Sequence, residues 1–120
     1  MSGNELRKLI KSRLLSVCDK VYYRIAEDKN LYPHITFEIR QIRKIDEPKD
    51  EATIDIEIWT KSESTANDMM DTVESIFNCR NDPQEDLLPT FFVEKITPVN
   101  DEDKSIVHKH VELSAQLYER

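Results

Sequence analysis

Two segments that alternate apolar and polar residues constrain the fold of this chain more than any other feature. They are Tyr32–Ile39, with the sequence YPHITFEI, and Thr53–Trp59, with the sequence TIDIEIW. A period of two is typical of strands with one buried and one exposed face, because successive side chains of a strand point to opposite sides. The charged segment Asp46–Glu51 between them predicts a turn, so the two strands should form a hairpin.

Helical periodicity flanks this hairpin on both sides. Apolar residues recur at steps of three and four, which predicts helices from about Asn4 to Asp19 and from near Ser64 to Asn78. Asn4 is the predicted N-cap of the first helix, and Ser62 or Ser64 that of the second, because their side chains can accept a hydrogen bond from a free backbone amide in the first helical turn.

Further strands are predicted at Val21–Ala26, Thr90–Thr97 and Lys104–Tyr118, with a loop at Cys79–Pro89 and an acidic turn at Pro98–Asp103. The order of elements is therefore α-β-β-β-α-β-β. Hairpins on both sides of a helix predict an α+β fold with a mixed or mostly antiparallel sheet of about five strands and both helices packed on one face. The whole chain, residues 1–120, is expected to be a single domain.

The charge and the cysteine content narrow the class of protein. The net charge is −7, whereas nucleic-acid binders need a basic surface, so we expect neither specific nucleic-acid binding nor binding to an anionic membrane. No apolar run reaches the ~20 residues of a transmembrane helix, and residues 1–13 lack the apolar core of a signal peptide. Cys18 and Cys79 are expected to be reduced thiols of a soluble protein made in the cytoplasm.

Few residues suit catalysis. The single glycine, Gly3, excludes phosphate-binding glycine-rich loops and the nucleophile elbow. His108 and His110 share a strand face, and with His34 they could form a three-histidine metal site if their strands were neighbours. Solvated histidines on an exposed sheet face are the favoured interpretation.

Asp55 and Glu57 also share a strand face, which invites a nuclease or hydrolase interpretation. A water-exposed face of an alternating strand explains this carboxylate pair as well, and we favour it. We therefore predict no catalytic residue, no metal site and no cofactor, and we expect that the protein is not an enzyme.

Four aromatic residues are better candidates for function. Trp59 and Tyr118 have the parity of the polar strand face, and of the adjacent pair Tyr22 and Tyr23 one should point outward. Exposed aromatic side chains are enriched at protein interfaces, so these four are the candidate interface residues. Coverage by a loop or a strand bulge is an equally good explanation for them.

Taken together, Val21-Tyr22-Tyr23, the strand that opens with Tyr32-Pro33, the segment Ile54–Trp59 and the amphipathic helix after it resemble the tail-terminator, or tail-completion, proteins. These belong to long-tailed bacteriophages and to prophages derived from them. The resemblance spans about residues 5–80 and agrees with the later hairpin in order and length. It implies an α+β subunit without catalytic residues that assembles into a ring, commonly a hexamer.

The resemblance also implies what the ring does. It caps the finished tail tube and presents a surface to the head connector, so the expected partners are other copies of the chain, the tail tube protein and the head connector protein. The expected location is the virion, after synthesis in the bacterial host, and DNA would pass through the ring without specific binding. Two alternatives stay open: another head–tail connector or tail component, and a small α+β module that binds a ligand or a protein.

Overall fold

A computed structural model of the protein describes residues 3–27, 31–46, 49–77, 90–99 and 104–118. Within these ranges it has two helices and five strands in the predicted order. The elements are α1 (Gly3–Leu14), β1 (Val21–Tyr23), β2 (His34–Asp46), β3 (Lys49–Thr60), α2 (Glu63–Phe77), β4 (Thr90–Val99) and β5 (Val107–Tyr118). None of these helices is long and apolar enough to span a membrane.

The five strands form one mixed sheet in the order β1-β2-β3-β5-β4. Only β1 and β2 run parallel, and the other neighbouring pairs are antiparallel. The α+β fold with a mixed sheet is therefore confirmed. β3 lies at the centre and is paired along its whole length with β5, which places residues from the middle of the sequence next to residues more than 45 positions later.

The hairpin of β2 and β3 is longer than predicted. The predicted turn at Asp46–Glu51 is wrong in its extent, because β2 continues to Asp46 and β3 begins at Lys49. The register pairs residue types of opposite charge here, Lys44 with Asp50 and Asp46 with Lys49. A charged segment can therefore extend a hairpin as well as end it.

Both helices pack on the same face of the sheet, as predicted. Each fully buried aliphatic side chain in this layer contributes about 1.5–3 kcal/mol by leaving water. The alternating isoleucines of β3 lie at the centre of this core, where none of them is exposed. The residues buried between the layers include Leu6, Ile10 and Leu14 of α1, Met69, Val73 and Phe77 of α2, and Ile35, Phe37, Ile54, Ile56, Ile58, Val111 and Leu113 of the sheet.

The predicted bounds of α1 and its cap need correction. The helix begins at Gly3, so Asn4 lies inside it and is not the N-cap. It ends at Leu14, not at Asp19, because the amides of Ser16 and Val17 bond to carbonyls only three residues earlier and tighten the chain into a turn. For α2 the prediction of a serine cap is confirmed: Ser62 Oγ accepts a hydrogen bond of 3.3 Å from the Thr65 amide.

Two strand bounds also differ from the prediction. β1 ends at Tyr23, not at Ala26, because Arg24 has φ 72° and this left-handed conformation turns the chain out of the strand. β5 begins at Val107, after a turn that includes Lys104. The predicted loop at Cys79–Pro89 lies outside the described residues, as does most of the predicted turn at Pro98–Asp103.

Candidate interaction surface

A row of stacked rings crosses the sheet on the face opposite the helices. Trp59 of β3 is paired in register with His34 of β2 on one side and with His108 of β5 on the other. Its ring centroid is 5.0 Å from that of His34 and 4.3 Å from that of His108, with an angle of 21° between the planes in each pair. Tyr32 extends the row, 5.2 Å from His34. We call Tyr32, His34, Trp59 and His108 the aromatic row.

The row is held in place at the start of β2. The chain enters this strand through a cis Tyr32–Pro33 peptide bond. His34 is only 3 % exposed, and its Nδ1 lies 2.9 Å from the carbonyl oxygen of Leu31. Because a carbonyl oxygen can only accept, Nδ1 carries the hydrogen and donates it, which leaves Nε2 of a neutral ring as an acceptor. The orientation of this imidazole is thus fixed before any partner binds.

A cleft of about 430 Å³ opens beside the aromatic row. One wall is the segment after β1, where Ile25 is 70 % exposed, and the other is the row itself. An exposed aliphatic side chain next to ordered rings is a surface that can bind another molecule through apolar contacts. The lining residues are Arg24, Ile25, Ala26, Tyr32, His34, Thr36, Glu57 and Trp59.

Charged side chains continue this sheet face beyond the aromatic row. Arg40 contacts Glu112, and its Nε lies 3.5 Å from Asp55 Oδ2. The hydrogen bond to Glu112 and the charge of Asp55 raise the pKa of the Arg40 guanidinium, so this group stays charged. His110 Nε2 lies 2.9 Å from Asp55 Oδ1. We call Arg40, Asp55, His110 and Glu112 the charged ladder.

The structure brings the candidate metal and catalytic residues onto one face of the sheet. The Trp59 ring lies between His34 and His108, while His110 contacts Asp55. Within the described ranges, no group of three or more histidine, cysteine or acidic side chains is arranged to hold a metal ion.

The carboxylate pair is engaged with basic groups. Asp55 contacts Arg40 and His110 in the charged ladder, and Glu57 Oε1 lies 3.2 Å from His108 Nε2. Both carboxylates do share the helix-free face, as the alternation of β3 requires. These are polar contacts across the helix-free face of the sheet, and the lack of enzymatic activity stays a prediction.

The tyrosine candidates lie in three different surroundings. Tyr22 is on the helix-free face, with its ring centroid 6.4 Å from that of His34 in an edge-to-face arrangement. Tyr23 points to the helix side, where its ring meets Phe37 at 5.2 Å and Arg7 at 4.8 Å. Adjacent strand residues must diverge in this way. Tyr118 pairs with Lys49 at the end of β5, and its side chain lies outside the described part.

Sequence reasoning missed the role of the two histidines beside Trp59. The parity of Trp59 indicated the correct face, but its ring is half-buried because imidazoles cover both sides. Alternation within one strand contains no information about neighbouring strands. Only the pairing of β3 with β5 brings His108 to Trp59.

Cys18 fits its predicted state as a reduced thiol. It is buried, and its Sγ lies 3.4 Å from the carbonyl oxygen of Pro33. Burial, the largest effect, raises the pKa of this thiol, which keeps it protonated and unreactive. Cys79 lies outside the described residues.

Among the comparisons with known proteins, the one with solved structures found matches. No protein-family model matches the sequence. No curated protein matches it either. Among solved structures, a chain in the structure titled "Virion of native gene transfer agent (GTA) particle" has the same fold. Its TM-score is 0.67 at 11% sequence identity, over 88% of this chain and 84% of that one.

Proposed function

We propose that this protein is a structural component of a phage-type particle, and more narrowly a tail-terminator-like subunit. Its ring would cap the tail tube and join it to the head connector. The observation that carries the proposal is the shared fold with a chain of a virion particle, which covers nearly the whole of both chains. At this identity the likeness is one of fold, so the specific role rests on the sequence resemblance to tail terminators.

The edges of the sheet support assembly into a ring. A ring uses head-to-tail contacts, so each subunit must present two different surfaces. β1 pairs only with Ile35–Phe37 of β2, and among the described strands the rest of β2 lies at one edge of the sheet while β4 lies at the other. Edge strands carry unpaired backbone groups that can pair with another chain. The sheet thus offers two unlike edges.

The acidic composition suits a channel through which DNA passes. Each subunit has a net charge of −7, and a ring repeats that charge around its axis. A negative channel wall repels DNA and so reduces stalling during passage. A subunit arranged with basic groups towards the channel would contradict this part of the proposal.

Deletion of the gene from the phage or prophage that encodes it tests the proposed role. The expected result is a lysate in which filled heads and assembled tails are both present but unjoined in electron micrographs. Infectivity should return when the wild-type chain is supplied from a plasmid. Normal joined particles from the deletion strain would overturn the proposal.

Position in the particle distinguishes a tail terminator from another connector or tail component. Antibody labelling of a peptide tag on the chain should mark the head-proximal end of isolated tails. Labelling of heads without tails would favour a connector protein, and labelling along the tube would favour a tube component.

The cleft beside the aromatic row favours a second candidate function, a small binding module. Its lining combines rings, an exposed isoleucine and two charged side chains. Trp59 is the one tryptophan of the chain, so its fluorescence reports binding in this cleft. A saturable spectral shift with a low-molecular-mass fraction of host extract, lost in Ile25→Glu, would support this alternative.

A further inference from the structure

The two helices carry opposite charges on their exposed faces. Within α1, Arg7, Lys8 and Lys11 are exposed, and no ion pair joins Lys8 or Lys11 to a described carboxylate. Arg7 lies against Tyr23 of β1, and Lys11, one turn later, lies on the same flank of the helix. The basic face of α1, formed by Arg7, Lys8 and Lys11, therefore points towards the β1 edge of the molecule.

The charged residues on the exposed face of α2 are all acidic. Asp68, Asp71 and Glu74 follow one another at steps of three, are all exposed, and have no cation on their own helix. Like charges at this spacing repel each other. Within the described part of the chain, none of these three carboxylates has an ion-pair partner. The carboxylate of α2 that does form an ion pair is Glu63, whose Oε1 lies 2.8 Å from Lys109 Nζ. We call Asp68, Asp71 and Glu74 the acidic face of α2.

The fold keeps these two faces apart within one molecule. α1 packs over β1 and β2, whereas α2 packs over β3, β4 and β5, on the same side of the sheet. The flank of α1 nearest to α2 carries Arg13, whose guanidinium lies 5.1 Å from the Phe91 ring centroid and 6.0 Å from that of Phe77. Arg13 thus covers core rings, and the basic and acidic faces lie on opposite halves of the helical layer.

We propose that the basic face of α1 docks on the acidic face of α2 in a second copy of this chain. The contact is head-to-tail, because each copy contributes a different face, and such contacts repeat into a ring. The charges of the two faces complement each other, which steers association and sets the register. This inference rests on the proposed ring subunit and names the surfaces that join its copies.

Paired charge reversals test the docking. K8E/K11E makes both helix faces of a copy acidic, and D68K/D71K makes both basic. Each variant alone should lose self-association in 20 mM salt, with a dissociation constant raised at least ~10-fold, since like charges then meet. A 1:1 mixture of the two variants should assemble again, because every contact in an alternating ring pairs an acidic with a basic face.

Controls separate this docking from general charge effects and from misfolding. K61E/K104E changes the net charge as much as K8E/K11E does, at exposed sites outside the helices, and should self-associate like the wild type. Far-UV circular dichroism and a thermal melt confirm that each variant is folded. The readout is sedimentation velocity from 10 µM to 1 mM full-length chain, at 20 mM and 500 mM salt.

Two outcomes would overturn the docking. One is a wild-type chain that stays monomeric at 1 mM in 20 mM salt, and the other is variants that associate as the wild type does. The role in the particle can fail separately. If the mixture of variants assembles but the gene deletion leaves joined particles, the docking stands and the tail-terminator role does not.

Discussion

Replacement of Trp59 by alanine should destabilise the fold through the aromatic row. Trp59 stacks on His34 at 5.0 Å and on His108 at 4.3 Å, and each such pair is worth about 0.5–1.5 kcal/mol beyond its buried area. Two pairs thus account for about 1–3 kcal/mol, and the lost burial of a half-buried indole adds about 1 kcal/mol. We expect the free energy of unfolding to fall by about 2–4 kcal/mol, below the cost of emptying a fully buried site.

The assay is equilibrium urea unfolding followed by far-UV circular dichroism, because the variant has no tryptophan signal. Trp59→Phe keeps one ring between the imidazoles and should lose less than half as much. Ile25→Ala, at a side chain that is 70 % exposed, is the matched control and should change stability by less than ~0.5 kcal/mol. A Trp59→Ala variant within ~0.5 kcal/mol of the wild type would refute the structural role of the row.

A double-mutant cycle isolates the stacking itself. His108→Ala and Trp59→Ala should be coupled by about 0.5–1.5 kcal/mol, since the two rings touch. Strict additivity of the two losses would show that Trp59 stabilises the sheet by burial alone.

Three further predictions concern the core, a helix cap and a thiol. Ile56→Ala, at the centre of β3 and with no exposed surface, should cost about 2–5 kcal/mol in urea unfolding, and a loss below ~1 kcal/mol would contradict the two-layer packing. Ser62→Ala should cost about 0.5–2 kcal/mol by removing the cap of α2, whereas Ser62→Asp should retain most of the stability. In a Cys79→Ser background, Cys18 should react with a disulfide reagent slowly at pH 7 and rapidly in urea, because burial raises the pKa of its thiol. The contribution of Cys18 to the free energy of unfolding is therefore complete below the ordinary pKa of a thiol, and it is lost as the pH rises through the raised pKa of the folded state. Equal rates of reaction with the reagent in the folded and unfolded states would be inconsistent with the burial of Cys18.

Local periodicity accounts for what could be predicted of the fold. The alternation of Ile54, Ile56 and Ile58 defines a strand and its buried face, and all three are fully buried. The helical repeats locate both ends of α2 and the start of α1 closely, whereas α1 ends at Leu14 and not at the predicted Asp19. Ends were predicted less well, because they depend on single backbone conformations such as the positive φ of Arg24.

The candidate surface depends on strand order, which local patterns do not contain. β5 inserts between β3 and β4, and this long-range pairing is what places His108 on Trp59 and His110 beside Asp55. Each residue was noticed in the sequence for its own chemistry. Their combination into an aromatic row and a charged ladder required the register of three strands.

The effect of the negative net charge depends on where the charged groups lie. α1 carries four cationic side chains and one carboxylate, and α2 carries four carboxylates and no cation. Exposed charges act over about 10 Å at 0.1 M salt, so DNA in a channel would interact only with the charges of the face that lines the channel.

If α1 and α2 meet between copies, their charges cancel at that contact, and repulsion of DNA must come from other surfaces. The charged ladder is a weak source, because Asp55 and Glu112 are already paired with Arg40. Reversal of the helix charges should therefore change assembly, and a restored mixed ring should pass DNA as the wild type does.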